Sequence, residues 1–201
     1  MAIKVANNQS LTAITALPSA ISSGTWTLLS TQTASSSATI SFTSGIDSTY
    51  DEYVFKFIDI HPATDNTELS FQANASGGSG YNETMTTTTF RSQQSEGAAN
   101  AEVAYDTSRD QAQGTSFQSL CVGVGNDNDQ CNTGYLHLYN PSSTTFVKHF
   151  LARNQTYEQS DHSVDMFTAG YINTTSAITE IQFKMSSGNI DAGTIKLYGI
   201  S

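Results

Sequence analysis

Histidine side chains are the first candidates for chemistry in this 201-residue chain, because imidazole binds metals and transfers protons near neutral pH. No two of them have the HxH or HExxH spacing that places two ring nitrogens on one metal ion. The four lie in different predicted elements: His61, His137, His149 and His162. We therefore expect packed or hydrogen-bonded histidines, with no metal and no cofactor.

Cys121 and Cys131 are the only two cysteines of the chain. Turn-forming residues 123–130 separate them, so their sulfurs could face each other across the base of a hairpin. A disulfide there would stabilise the fold by about 2–3 kcal/mol. Such bonds seldom form in a reducing cytosol, and two free buried thiols are the alternative. The pattern leaves both possibilities open.

Carboxylates and hydroxyls supply the remaining candidates for catalysis. No serine lies in a GxSxG motif. Two strand carboxylates could form a glycosidase pair, and Asp59 and Glu180 are the acidic residues best placed for this. Residues 126–129 offer oxygen ligands for calcium, but their spacing differs from that of an EF-hand loop and favours a solvated turn. We predict no catalytic residue and a protein that is not an enzyme.

The composition restricts the partners of the protein. Eighteen acidic and eight basic residues give a net charge of −10, which repels nucleic acid and anionic membrane surfaces. Only 13% of residues are charged, so Ser and Thr form much of the polar surface. No run of about 20 apolar residues is present. We expect neither a nucleic-acid partner nor a membrane partner.

Short apolar runs separated by turn residues predict an all-β protein from residue 25 to residue 201. The predicted fold is an antiparallel β-sandwich, jelly-roll-like, preceded by an extended N-terminal arm at residues 1–24. The arm lacks aromatic residues and buries little, so we expect another surface to hold it. Ten strands are predicted, at residues 25–30, 38–43, 52–60, 69–73, 117–124, 134–140, 145–152, 164–173, 178–185 and 194–200.

Two regions are predicted to carry contacts. Residues 77–91 and 97–112 form a long excursion between strands, with one or two helical turns in the second part. In residues 52–60, Tyr53, Phe55 and Phe57 alternate with Val54, Lys56 and Ile58. These aromatic side chains, with Asn and Thr nearby, could stack on sugars.

Three segments of this chain resemble small virion proteins of tailed phages that infect aquatic bacteria. They are DSTYDEYVF at residues 47–55, IHPATD at residues 60–65 and GTIKLYGI at residues 193–200. The resemblance extends from about Trp26 to the C-terminus. It implies a β-sandwich on the surface of the virion, and it carries over no catalytic residue.

The expected function is therefore that of a structural component of the phage particle. A capsid decoration protein is favoured, because heptads, internal repeats and a collagen-like tract, which would form the shaft of a fibre, are missing from the sequence. The arm at residues 1–24 is expected to join other virion proteins, and a homotrimer fits a symmetric particle. The alternative is a tail-fibre or receptor-binding protein that recognises a host glycan.

Overall fold

The computed structural model describes residues 26–200, and the predicted arm at residues 1–24 lies outside the described residues. The described part is built from strands without helices. The twelve strands are β1 Trp26–Thr33, β2 Ile40–Phe42, β3 Glu52–Pro62, β4 Leu69–Ala75, β5 Met85–Ser95, β6 Ala101–Tyr105, β7 Gln118–Ser119, β8 Asn132–Tyr139, β9 Lys148–Glu158, β10 His162–Ile172, β11 Ile178–Met185 and β12 Ile190–Ile200.

The strands form two antiparallel sheets of unequal size. The larger sheet has the order β1-β12-β3-β8-β9-β10-β5-β6, and the smaller has the order β2-β11-β4-β7. The chain crosses between the sheets repeatedly, so the apolar faces of both strand sets enclose one main core. This confirms the predicted all-β sandwich, while the jelly-roll pattern stays a prediction.

Phe183 lies at the centre of the core. Its ring is surrounded by four others, with centroid distances of 5.2 Å to Phe55 and Phe57, 6.2 Å to Phe42 and 6.4 Å to Phe71. Three of these four pairs meet edge to face, the arrangement that the charge distribution of aromatic rings favours. The alternating apolar residues of β3 and β11 thus hold the sheets together.

Tyr53 fixes the corner where the chain enters β3. Its hydroxyl accepts a hydrogen bond from the Asp47 N–H at 3.0 Å and lies 2.9 Å from Asp47 Oδ1. Beside it, the Tyr50 ring covers Gly199, where an added Cβ would come within 2.4 Å of the ring. All four residues lie in residues 47–55 and 193–200, so these two segments encode a structural corner.

The predicted excursion contains strands instead of helical turns. β5 and β6 form a hairpin that extends the larger sheet, with Phe90 paired with Tyr105. The alternation of β5 is hard to see in the sequence because threonines occupy both faces: Thr87 and Thr89 are buried, while Thr88 is exposed. The expectation of one or two helical turns within residues 97–112 was wrong. The strand predicted at residues 117–124 is reduced to Gln118–Ser119.

The aromatic side chains of β3 are part of the core. Tyr53, Phe55 and Phe57 are all completely or almost completely buried, and Val54 on the opposite face is buried as well. The expectation that this strand could stack its aromatic rings on sugars is therefore wrong. The exposed aromatic surface lies on neighbouring strands.

Candidate binding face

The larger sheet has one face against the core and an opposite face, here called the outer face. Outer-facing positions hold eight of the nine exposed large apolar side chains in residues 26–200. The eight are Trp26, Leu28, Ile58, Phe90, Val103, Tyr105, Tyr135 and Leu151; the ninth, Phe146, lies in a loop. Exposed apolar residues that cluster in this way mark a contact surface.

The strand register aligns seven of the outer-facing residues in one line across the sheet, here called the central row. In order from β12 to β6 they are Lys196, Lys56, Tyr135, Arg153, Phe167, Phe90 and Tyr105. Adjacent strands lie about 4.8 Å apart, so the row extends roughly 29 Å. One end of the row is basic and the other is aromatic.

The aromatic end of the row is built from cross-strand contacts. The rings of Phe90 and Phe167 stack with centroids 4.7 Å apart and planes 6° apart. The Arg153 guanidinium lies 4.8 Å from the centroid of the Phe167 ring. Two hydrogen bonds, of 3.0 Å from Nε and 2.7 Å from Nη2, bind Arg153 to Asp165. This pair orients the guanidinium along the surface, with the Phe90 ring left accessible.

A ridge of rings follows β8 because its odd-numbered residues face outward while Leu136 and Leu138 enter the core. The His137 ring lies 5.0 Å from Tyr135 and 6.2 Å from Tyr139, measured between centroids. His137 Nδ1 also forms a hydrogen bond with Glu52. The ring at the centre of the ridge is thereby fixed.

A groove of about 410 Å³ lies between the β8 ridge and the Phe90–Phe167 stack. Thr88 and Ala169 are among its lining residues, and their small side chains leave room between the rings. Tyr135 and Arg153 also line a depression of about 710 Å³ on the β3 side. A third depression of about 290 Å³ shares Thr88 and Ala169. The outer face therefore carries three adjacent, shallow depressions, here together called the channel.

Both cysteines have free thiols in the structure, with Cys121 buried and Cys131 partly buried. Cys121 is fully buried in the core, where its sulfur accepts a hydrogen bond of 3.1 Å from the Leu69 N–H. Burial raises the pKa of Cys121 to about 12 and also raises that of the half-buried Cys131. The oxidised pairing stays a prediction for the protein under oxidising conditions.

The remaining candidates from the sequence are separated by the fold. Asp59 lies in β3 of the larger sheet, whereas Glu180 lies in β11 of the smaller sheet and accepts a hydrogen bond from Tyr81. Residues 126–129 form an exposed turn, as expected. Within residues 26–200, no cluster of three or more His, Cys, Asp or Glu side chains is arranged to hold a metal ion. The histidines lie in four different strands.

A charged network holds the β5–β6 hairpin and the following loop in place. Arg109 contacts both Glu68 and Asp106, with 2.7 Å between its Nη1 and Asp106 Oδ2. Arg91 donates a second hydrogen bond, of 3.0 Å, to the same Asp106 oxygen. Burial would raise the pKa of Asp106, but hydrogen bonds from Ser108 and the charge of Arg109 lower it overall. The network stabilises the hairpin that carries Phe90.

Lys148 is the one lysine of the described part that is completely buried. Its ammonium group donates hydrogen bonds of 3.0 Å to the Phe146 carbonyl and 3.1 Å to the Thr174 carbonyl. Burial lowers its pKa. These contacts join the loop before β9 to the end of β10, which is a structural role.

The outer face could not be predicted directly from the sequence, because each strand contributes only a few of its residues. The clearest signal was the segment GYLHLY at residues 134–139, where rings alternate with leucines.

No protein family, curated protein or solved structure matches this chain. In residues 26–200 there is no helix of the length and apolarity needed to cross a membrane.

Proposed function

We propose that this chain is a non-enzymatic structural protein on the surface of a tailed bacteriophage, most simply a capsid decoration protein. In this proposal residues 1–24 attach a homotrimer to other virion proteins, and the outer face of each sandwich is turned away from the particle. The resemblance of residues 47–55, 60–65 and 193–200 to small phage virion proteins supports the placement. The sandwich fold suits repeated docking on a symmetric shell.

The outer face is the observation that carries this proposal. On a protein surface that contacts only water, exposed apolar residues are scattered singly. Here the exposed apolar residues cluster on one face of the larger sheet, beside the channel. Such a face is suited to contact with another molecule. The low content of charged residues, 13%, also reduces the cost of removing ions from water when the module is packed among neighbours.

Quantitative mass spectrometry and antibody labelling of purified particles test the placement. We expect tens to hundreds of copies per particle, labelled on the head. A few copies on the tail would contradict decoration and support the receptor-binding alternative, and absence from the particle would contradict both.

A receptor-binding role is the second candidate, and the groove between the β8 ridge and the Phe90–Phe167 stack favours it. Exposed rings that border a channel with threonine hydroxyls are suited to stacking on sugar rings and to hydrogen bonding with their hydroxyl groups. Glycan-array binding by the purified chain tests this role. Binding that is lost in Phe167→Ala and retained in Phe146→Ala would support it, and equal binding by both variants would contradict it.

A further inference from the structure

The basic residues of the described part are unevenly distributed. Of the seven Lys and Arg side chains in residues 26–200, three belong to the central row: Lys56, Arg153 and Lys196. The other four lie elsewhere: Arg91 and Arg109 in the carboxylate network, Lys148 in the interior and Lys184 on the smaller sheet, over the Phe117 ring at 4.1 Å. An acidic protein thus concentrates its outward positive charge on the face that carries the channel.

The acidic groups near the row cancel part of this charge, and within residues 26–200 only Lys56 and Lys196 of the row have no carboxylate partner. Asp165 pairs with Arg153, and Glu52 forms its hydrogen bond with His137. The Nζ atom of Lys56 lies 4.4 Å from the centroid of the Trp26 ring. This cation–π contact does not neutralise the charge of the ammonium group. At about 0.15 M salt the screening length is about 8 Å, so a ligand on the row responds to the adjacent cations.

The shape of the channel indicates a chain-like ligand. The depressions of about 290, 410 and 710 Å³ are adjacent and share lining residues, so an elongated ligand could contact all three. Rings and cations share the row: Tyr135 lies between Lys56 and Arg153, the β12 end is basic and the β6 end is aromatic. Sugar rings of a polymer can stack on the aromatic rings while their charged substituents pair with the cations.

We propose that the central row binds an acidic polysaccharide. In this arrangement carboxylate or sulfate groups pair with Lys196 and Lys56, and sugar rings stack on Tyr135 and on Phe90, whose ring Phe167 supports. Arg153 stays bonded to Asp165. The inference rests on the proposed role of the outer face as a contact surface and specifies the chemistry of its ligand. A second copy of the chain is the competing occupant.

Biolayer interferometry of the full chain against dextran sulfate, unsulfated dextran and polygalacturonate tests the proposal. We expect binding to the two acidic polymers and little binding to dextran. The double variant Lys56→Gln/Lys196→Gln should weaken acidic-polymer binding about tenfold or more. The control Lys184→Gln removes a positive charge from the smaller sheet and should leave the affinity unchanged. Tyr135→Ala should also weaken binding, while Phe146→Ala should not.

Three results would overturn the proposal. Equal losses in the row variants and in Lys184→Gln would indicate non-specific ion exchange. Equal affinity for dextran and dextran sulfate would contradict the acidic ligand while leaving a neutral glycan possible. Concentration-dependent self-association in sedimentation velocity that Tyr135→Ala abolishes would assign the face to a second copy. Particle copy number tests the virion role independently of all three.

Discussion

The rings of Phe90 and Phe167 stack in parallel at 4.7 Å on the outer face, with 46% of Phe90 exposed to solvent. An apolar pair in this position adds little to the core, because one side of it remains in water. The pair is nevertheless held on two paired strands, β5 and β10, and is flanked by Arg153. This arrangement is suited to binding a ligand.

Phe90→Ala is expected to reduce the free energy of unfolding by only about 1 kcal/mol, the value of an aromatic cross-strand pair. Urea denaturation of the purified chain measures this loss. A loss of about 3 kcal/mol or more, as found for buried rings, would show that the pair serves mainly to stabilise the sheet and would weaken its assignment to binding.

Phe183→Ala is expected to reduce the free energy of unfolding by about 4 kcal/mol, because it removes the central ring of the core and leaves a cavity. The same urea titration measures it. Phe146→Ala is the matched control: its ring is 68% exposed, and the change should cost less than about 0.5 kcal/mol. Similar losses in the two variants would contradict the packing described here.

Asp106→Asn is expected to cost about 3 kcal/mol at neutral pH, because Arg91 and Arg109 would lose the carboxylate that they share. The pKa of Asp106 is lower in the folded state than its unfolded value of about 3.9. Its contribution is therefore complete above that value and is lost as the pH falls through the folded pKa. Urea titrations at pH 7 and at acidic pH should show the difference between variant and wild type shrinking with acidification.

Asp165→Asn is the control for the charged network. Its partner Arg153 is half exposed, so the change should cost about 0.5 kcal/mol. An Asp106→Asn variant as stable as Asp165→Asn would contradict the structural role of the network.

The two thiols are expected to differ in reactivity. Burial and a pKa of about 12 should keep Cys121 unreactive in the folded protein, whereas the half-buried Cys131 should be alkylated slowly. Iodoacetamide labelling followed by peptide mass spectrometry distinguishes the sites, and unfolding should expose both. If neither thiol can be labelled after unfolding without reductant, the two cysteines form the disulfide that the sequence also allows.

The sandwich could be predicted from the sequence because apolar and polar residues alternate along β3, β8, β11 and β12. β5 was not predicted because threonine occupies both its buried and its exposed positions, which hides the alternation. The sequence of its hairpin with β6 is rich in alanine and was therefore interpreted as a loop with helical turns. Local pattern also failed at β3: it identified the rings of Tyr53, Phe55 and Phe57 without revealing that they face the second sheet.

The candidate site could not be predicted because it exists only across strands. Lys56, Tyr135 and Phe167 are far apart in the chain, and only the register of the larger sheet aligns them. The relative position of the two cysteines was equally hard to predict, because a turn between them does not determine whether their sulfurs come into contact. Strand pairing decides both the alignment of the central row and the positions of the two sulfurs.

Under the proposed virion role, the outer face is an open ligand surface when the protein is on the particle. Hydroxyl-radical footprinting of purified particles, with and without an acidic polysaccharide, tests it by measuring oxidation of Tyr135, Phe90 and Phe167. We predict oxidation in bare particles at the rate of the free chain, and protection of these rings by the polysaccharide with Phe146 unchanged. Protection already present in bare particles, or none on addition of the polysaccharide, would contradict the account.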